Sequence, residues 1–372
     1  MIAGIIGATG YAGAELVRLL AGHPRIAELA LASVSFEGDR IDRVYPNFLG
    51  KVRAPLVKPE EVIAAAEVVF AALPNGVGEA FAKTCAEKKI PFIDFSADFR
   101  FDEDEATYTA WYGKPYAYPE LRKYSAYGLP ELNRKRIKAL AASKPVIIGN
   151  PGCYPTGASL GAYPALVKGI AGPGTIIVDA ASGVSGGGRE PSRSFHYPEC
   201  ADSVTPYKVG AHRHTPEISR NFSVMSGQTG EETRHLIFTP HLAPMNRGIL
   251  SAIYIPLADA WRLPARRAGP PRPPDQAIAE QAQKIRETYA EWYRDEPFVR
   301  ILPADTAAAT NRVRQSNFCD ISVHLDQTGT TLIIATAIDN MVKGAAGQAV
   351  QNMNVIFGFP ETEGLTAIPA SF

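Results

Sequence analysis

The sequence predicts two domains: an α/β domain with a parallel sheet covered by helices on both faces, and an α+β domain built on a second sheet. Three observations carry this expectation. Over residues 1–150, short continuous apolar runs alternate with helical patterns, the mark of a parallel sheet buried on both sides. Beyond that point the β-rich runs lie close enough in sequence to pair as antiparallel neighbours. A chain of 372 residues is long enough to bury two cores.

Ile2–Ile6 reads as the first strand. Ala12–Ala21 follows as an amphipathic helix, with Leu16, Leu19 and Leu20 on one face and His23-Pro24 ending it. Leu29–Val34, Val68–Leu73, Phe92–Phe95 and Val146–Ile148 read as further strands, with helical composition over Val77–Lys88. Phe101–Arg136 is rich in tyrosine and polar residues and is expected to be irregular or inserted. Thr175–Ala181, His235–Thr239, Leu250–Pro256, Asp320–Leu325 and Thr331–Ala337 are the expected strands of the second sheet, the last two forming a hairpin across Asp326–Gly329. Arg262–Asp275 is a Pro/Arg-rich loop before a helix over Gln276–Arg294. Lys343–Asn354 reads as a Gly-started helix returning to the first domain. The expected boundaries are therefore 1–152 with 341–372 for the first domain and 153–340 for the second.

The formal net charge is zero and the basic residues are scattered, so no electrostatic footprint for nucleic acid or an anionic membrane is expected. No apolar run approaches a membrane span, and the N-terminus enters a strand directly without a signal-peptide pattern. Cys85, Cys153, Cys200 and Cys319 are widely spaced, which argues against a disulfide framework and a structural zinc site. A cytoplasmic protein acting on a small molecule is the expectation.

Gly7-Ala8-Thr9-Gly10-Tyr11-Ala12-Gly13 follows the first strand and opens the first helix. Glycines there permit a tight turn and close backbone approach, while a helix N-terminus attracts pyrophosphate, so these residues are candidates for binding a dinucleotide. The spacing is GxxGxxG, and the strand before it and the helix after it supply the context such a motif needs. The second strand ends at Ser33, where an NAD site commonly carries Asp or Glu. A small hydroxyl leaves room for a 2′-phosphate, with Arg40 and Lys51 as charge partners, so NADP is the expected cofactor. Pro74, in Leu73-Pro74-Asn75-Gly76, is expected to line the same crevice.

Asn150-Pro151-Gly152-Cys153-Tyr154-Pro155-Thr156 lies between the apolar run Val146–Ile148 and a helix-like stretch, Ala158–Val167. Pro and Gly force a sharp strand-to-helix turn, which places Cys153 at or near a helix N-terminus. There the dipole end and exposed N–H groups favour the thiolate; a buried packing cysteine is the alternative. Lys208–Glu217 contains His212-Arg213-His214-Thr215-Pro216-Glu217. The two imidazoles with Glu217 can serve as metal ligands, as a surface pair, or in acid/base catalysis beside Cys153. No third metal ligand shows convincing spacing, and a thiol nucleophile needs a proton carrier near neutral pH. Arg189 and Arg193, behind Gly186-Gly187-Gly188, are further candidate anion binders.

Together these motifs resemble the N-acetyl-gamma-glutamyl-phosphate reductase family over nearly the whole chain. The resemblance rests on Gly7–Gly13, Asp94–Arg100, Tyr127–Glu131, Gly149–Thr156, Ser182–Gly186, His212–Glu217 and Asp339–Gln351, in this order and spacing. It implies a Rossmann-type dinucleotide-binding domain joined to an α+β catalytic domain like that of glyceraldehyde-3-phosphate dehydrogenase, associating as a homo-oligomer, dimer or tetramer. It implies Cys153 as nucleophile and His214 as acid/base. His212, Glu217, Arg100 and Asn150 would contact substrate. Ser182 and Gly183 would lie against the nicotinamide, with Asn340 holding its carboxamide. The implied reaction is NADPH-dependent reductive dephosphorylation of N-acetyl-L-glutamyl 5-phosphate, through a Cys153 thioester, in arginine biosynthesis. Aspartate-semialdehyde dehydrogenase, a carrier-linked aminoadipyl-phosphate reductase of lysine biosynthesis (with Arg262, Arg266, Arg267 and Arg272 as a basic rim) and a non-catalytic NADP sensor remain open at this point.

Overall fold

A computed structural model describes residues 1–102, 104–227, 235–263 and 276–370. It divides into two compact units, one of Met1–Gly152, Gly187–Glu190 and Met341–Ile368, the other of Cys153–Gly186, Pro191–Asn340 and Pro369–Phe372.

The first unit is built on β1 (Ile2–Ile6), β2 (Glu28–Ala32), β3 (Leu56–Val57), β4 (Val68–Ala71), β5 (Phe92–Asp94), β6 (Ser125–Tyr127) and β7 (Ile147–Gly149). Their order is β3-β2-β1-β4-β5-β7-β6, all parallel. Every residue of β4 is buried, as a central strand covered on both faces requires. Strand order reverses at β1, which pairs with β2 on one side and β4 on the other. In such sheets ligands bind outside the carboxyl ends of the strands at the switch point, and the loops after β1 and β4 leave from that place.

Two expectations in this unit change. Phe101–Arg136 is ordered: it contains the helix Glu105–Tyr112, strand β6 and the start of the helix Pro130–Ser143. Its aromatics supply their own core, with Tyr108 stacked on Tyr112 at 5.1 Å and within 4.9 Å of Tyr116. The C-terminal segment begins with one π-helical turn, Val342–Ala346, before the helix Gly347–Phe357. Lys343 on that turn is fully buried, and its Nζ donates to Glu131 at 2.7 Å and Gln351 at 2.8 Å. Burial alone would raise the Glu131 carboxyl; the Lys343 ammonium outweighs it and holds the group below the ordinary carboxylate range.

The second unit is built on β8 (Ile176–Ser182), β9 (Thr205–Pro206), β10 (Leu236–Leu242), β11 (Ile249–Pro256), β12 (Val299–Ile301), β13 (Cys319–Leu325) and β14 (Thr331–Ile338). The order is β12-β13-β14-β11-β8-β10-β9; β8 runs parallel to β10, β12 parallel to β13, and the remaining pairs are antiparallel. One face packs on the helix Cys153–Val167, which is apolar nearly all round and buried. The helix Gln276–Trp292 and the residue after it anchor that helix. Tyr289 donates to the Gly161 carbonyl at 2.9 Å and Tyr293 to the Leu160 carbonyl at 2.6 Å. The other face leaves Ile177, Ile237, Leu250 and Tyr254 exposed.

Candidate active site

In the first unit the glycine turn assigns one task to each glycine. Gly7 has φ +86°, and a Cβ there would overlap the Ala72 carbonyl. A Cβ on Gly13 would overlap the Gly7 carbonyl oxygen, so Gly13 lets the first helix, Tyr11–Leu20, seat against the turn. Gly10 differs: its φ is −73° and the nearest atom to a Cβ would be 3.6 Å away. The protein's own packing would accept a side chain at Gly10; a phosphate approaching the backbone would not. No side chain caps this helix start, which leaves its positive end to a ligand.

Thr9 and Ser33 share a short hydrogen bond, Oγ1 to Oγ at 2.6 Å, tying the turn to the end of β2. Tyr11 and Pro74 are exposed, while Ala12 is half-buried. Arg40 is held by Asp42 through two contacts of 2.9 and 2.6 Å. The residues present therefore fit a dinucleotide, with the pyrophosphate on Gly10–Gly13.

Asp94–Arg100 is a bracket. Both Asp98 carboxylate oxygens accept from the Gly76 N–H at 2.7 Å, and the Asn75 side chain accepts from Ala97 N–H at 2.9 Å, fixing the loop after β4. Burial, with Asp98 beside it, raises the Asp94 carboxyl. Arg100 donates from Nε to the Asn150 carbonyl at 2.8 Å and from Nη2 to the Phe95 carbonyl at 2.6 Å. Asn150 donates to the Ala345 carbonyl at 3.0 Å, and its Oδ1 accepts from Asn352 at 3.1 Å. Both residues, expected on substrate, thus also hold the backbone of the turn that leads into Cys153.

In the second unit Cys153 is the first residue of the helix Cys153–Val167 and is half-buried. Cys85, by contrast, is buried, and burial pushes its thiol up to about 12. Around Cys153 stand two tyrosines that the sequence reading did not single out. Tyr154 and Tyr207 bring their hydroxyls to 3.0 Å. Burial, then Tyr207, then the charge of Cys153 push the Tyr154 hydroxyl far above the ordinary range. Burial, with Cys153 adding to it, pushes Tyr207 up to about 12. Short strand β9 delivers Tyr207, whose N–H donates to the Pro240 carbonyl at 3.1 Å.

His212 and His214 lie with ring centroids 4.9 Å apart, and the Tyr154 ring is 5.6 Å from the first and 5.9 Å from the second. The His212 Nδ1 accepts from the His214 N–H at 3.1 Å, which puts its own proton on Nε2 when neutral. Burial, with Lys208 and Arg213 adding to it, lowers His212 to about 4. His212 is thus neutral at pH 7. His214 is half-buried and occupies the N-cap position of the helix Thr215–Met225 without a side-chain capping bond; Glu217 on that helix is fully buried. Among the described residues no three His, Cys, Asp or Glu side chains gather as metal ligands.

Ser182 ends β8 and donates to the Gly183 carbonyl at 3.0 Å; a Cβ on Gly183 would press into the backbone of Asn246. Asn340 was expected on the nicotinamide carboxamide. In the structure its Oδ1 accepts from Gly248 N–H at 2.7 Å, just before β11, and its Nδ2 donates to Ser185 at 3.0 Å, in the turn after β8, so the amide ties these two loops together. Of the basic rim, Arg262 pairs with Asp259 at 2.8 Å, while Arg266, Arg267 and Arg272 lie outside the described residues.

The geometry can be set beside known proteins. Residues 2–140 match the family model described as "Semialdehyde dehydrogenase, NAD binding domain". Residues 153–268 and 273–340 match "Semialdehyde dehydrogenase, dimerisation domain". Among solved structures, aspartate semialdehyde dehydrogenase II of Vibrio cholerae aligns with TM-score 0.69 at 16% identity, over 96% of this chain and 98% of that one. The aspartate semialdehyde dehydrogenase of Candida albicans, solved with NADP, aligns at 0.65 and 18%, over 96% and 98%. At that identity the likeness shows the fold: a Rossmann-type domain with an α+β partner. The N-acetyl-gamma-glutamyl-phosphate reductase of Clostridium kluyveri is 45% identical over 99% of both chains. That of Brachyspira hyodysenteriae is 43% identical, also over 99% of both. The cofactor is a nicotinamide dinucleotide. The chain belongs to the N-acetyl-gamma-glutamyl-phosphate reductase family.

Proposed function

We propose that this chain reduces N-acetyl-L-glutamyl 5-phosphate to N-acetyl-L-glutamate 5-semialdehyde in arginine biosynthesis, with NADPH as reductant and Cys153 as nucleophile. The observation that carries the reading is the half-buried thiol at a helix start, with Tyr154 and Tyr207 beside it and the histidine pair packed against the Tyr154 ring. The Cys153 thiolate attacks the acyl phosphate carbonyl and phosphate leaves, forming a thioester. A bound reduced nicotinamide would supply the hydride by which the thioester becomes a thiohemiacetal, which releases the semialdehyde and the Cys153 thiolate. The positive end of the helix stabilises the oxyanion as it forms. His214 gives a proton to this oxygen or recovers one as the thiol is freed, while neutral His212 and buried Glu217 shape the pocket. The two tyrosine hydroxyls stay protonated and act as hydrogen-bonding groups, not bases.

Ser33, standing where a carboxylate would meet a ribose hydroxyl, supports NADP over NAD. The exposed apolar residues Ile177, Ile237, Leu250 and Tyr254 on the outer face of the second sheet support a homo-oligomer, dimer or tetramer. No helix among the described residues is long and apolar enough to cross a membrane, and a cytoplasmic location goes with the pathway.

The test is the reverse reaction, NADP reduction with N-acetylglutamate semialdehyde and phosphate. Phosphate-dependent turnover on that substrate, absent with aspartate semialdehyde, is expected. Turnover on aspartate semialdehyde alone would overturn the substrate while leaving the thiol chemistry in place.

A further inference from the structure

Gly187–Glu190 belongs to the first unit although the chain on either side of it belongs to the second. Arg189 lies on this excursion, and it reaches the nucleotide turn. Its Nη1 donates to the Thr9 carbonyl at 3.0 Å, the same carbonyl that accepts the Tyr45 hydroxyl at 2.9 Å. The guanidinium lies 5.0 Å from the Tyr45 ring centroid and 5.1 Å from that of Phe36, cation–π contacts that fix its plane. Phe36 and Tyr45 both follow β2, the strand whose end faces the adenosine ribose in a dinucleotide-binding domain. Gly188, at φ +86°, turns the chain just before Arg189.

Charge distinguishes Arg189 from its neighbour. Arg40, the obvious cation by sequence distance, has its fork filled by Asp42, whose side chain is buried. No carboxylate pairs with Arg189 among the described residues, and it is exposed. An oriented guanidinium with uncompensated charge, beside a β2 end that carries serine, matches a phosphate monoester on the ribose.

We propose that Arg189 recognises the 2′-phosphate of NADP(H) and is the residue that sets cofactor preference. The inference rests on the NADP reading above. NADPH and NADH binding to the full chain, followed by nicotinamide fluorescence, tests it, with adenosine 2′,5′-bisphosphate and AMP as fragments titrated by calorimetry. Arg189→Ala and Arg189→Gln should weaken NADPH and the bisphosphate roughly 10- to 100-fold, as loss of a charged hydrogen-bond partner does. NADH and AMP should bind unchanged, and Arg40→Ala should keep the preference. The glutamine variant retains a donor for the Thr9 carbonyl should alanine disturb the loop. A wild-type preference for NADPH that survives both Arg189 variants overturns the assignment and leaves the NADP reading standing. Equal losses for NADPH and NADH also overturn it, since Arg189 would then serve the part common to both. No preference in the wild-type chain removes the NADP reading and this inference together.

Discussion

Two helix starts, one in each unit, serve the proposed reaction by opposite means. The start at Tyr11 has been cleared of side chains: Gly7 makes the turn, Gly13 seats the helix, and Gly10 stays bare although the packing has room for a Cβ. The start at Cys153 is crowded: a thiol is its first side chain, and the next residue, Tyr154, meets the Tyr207 hydroxyl and packs against two imidazoles. Both exploit the same partial positive charge. At the first it meets an anion that arrives with the ligand, so access decides. At the second, in the proposed reaction, it meets an anion belonging to the protein, so the surroundings decide.

The strongest way to break this contrast is Cys153→Ser. The hydroxyl is nearly isosteric with the thiol, but the helix start cannot bring a hydroxyl into its anionic form near neutral pH. Turnover should fall at least about 10³-fold while NADPH binding at the glycine turn is unchanged. Steady-state rates beside a fluorescence titration check both halves. Retained turnover would remove the covalent step.

At the glycine turn, two alanine substitutions should separate fold from ligand. Gly13→Ala places a Cβ against the Gly7 carbonyl and 2.8 Å from the Ala8 Cα, backbone atoms that have nowhere to go. It should destabilise the protein by about 1–3 kcal/mol in denaturant unfolding. Gly10→Ala meets nothing closer than 3.6 Å, so stability should hold while dinucleotide affinity drops about tenfold. Matching losses of stability in both variants would mean that Gly10 serves the fold as well.

What the sequence disclosed follows the range of the interactions. Strand Ile2–Ile6 and the hairpin of β13 and β14 were legible because apolar pattern and turn chemistry are local. Cys153 at a helix start was legible for the same reason: Pro and Gly announce the turn within four residues of it. The regular elements within Phe101–Arg136 were not legible, because their order comes from aromatic packing that polarity counts do not register. The amide partners of Asn150 and Asn340 were not legible, because nothing local reveals that Ala345, Asn352, Gly248 and Ser185 bond to them. Tyr207 was missed although it precedes the histidine pair by a few residues; its partner Tyr154 is 53 residues away, and only the placement of β9 beside β10 joins them.

The smallest expected effect concerns the histidine that does not move protons. His212 titrates at about 4 in the folded chain against an ordinary 6.5, because burial and the nearby Lys208 and Arg213 charges disfavour its cation. Between those two values the unfolded chain binds a proton that the folded chain refuses. Stability should therefore rise with pH across this window. The contribution is full above 6.5 and is lost as the pH falls to about 4. His212→Asn keeps an acceptor near the His214 N–H but cannot titrate. Denaturant unfolding at several pH values across the window should give a shallower slope for the variant, by up to one proton, while the two proteins differ by a constant offset above it. An unchanged slope would mean that His212 is protonated in the folded state, and the neutral ring that leaves proton transfer to His214 would have to be given up.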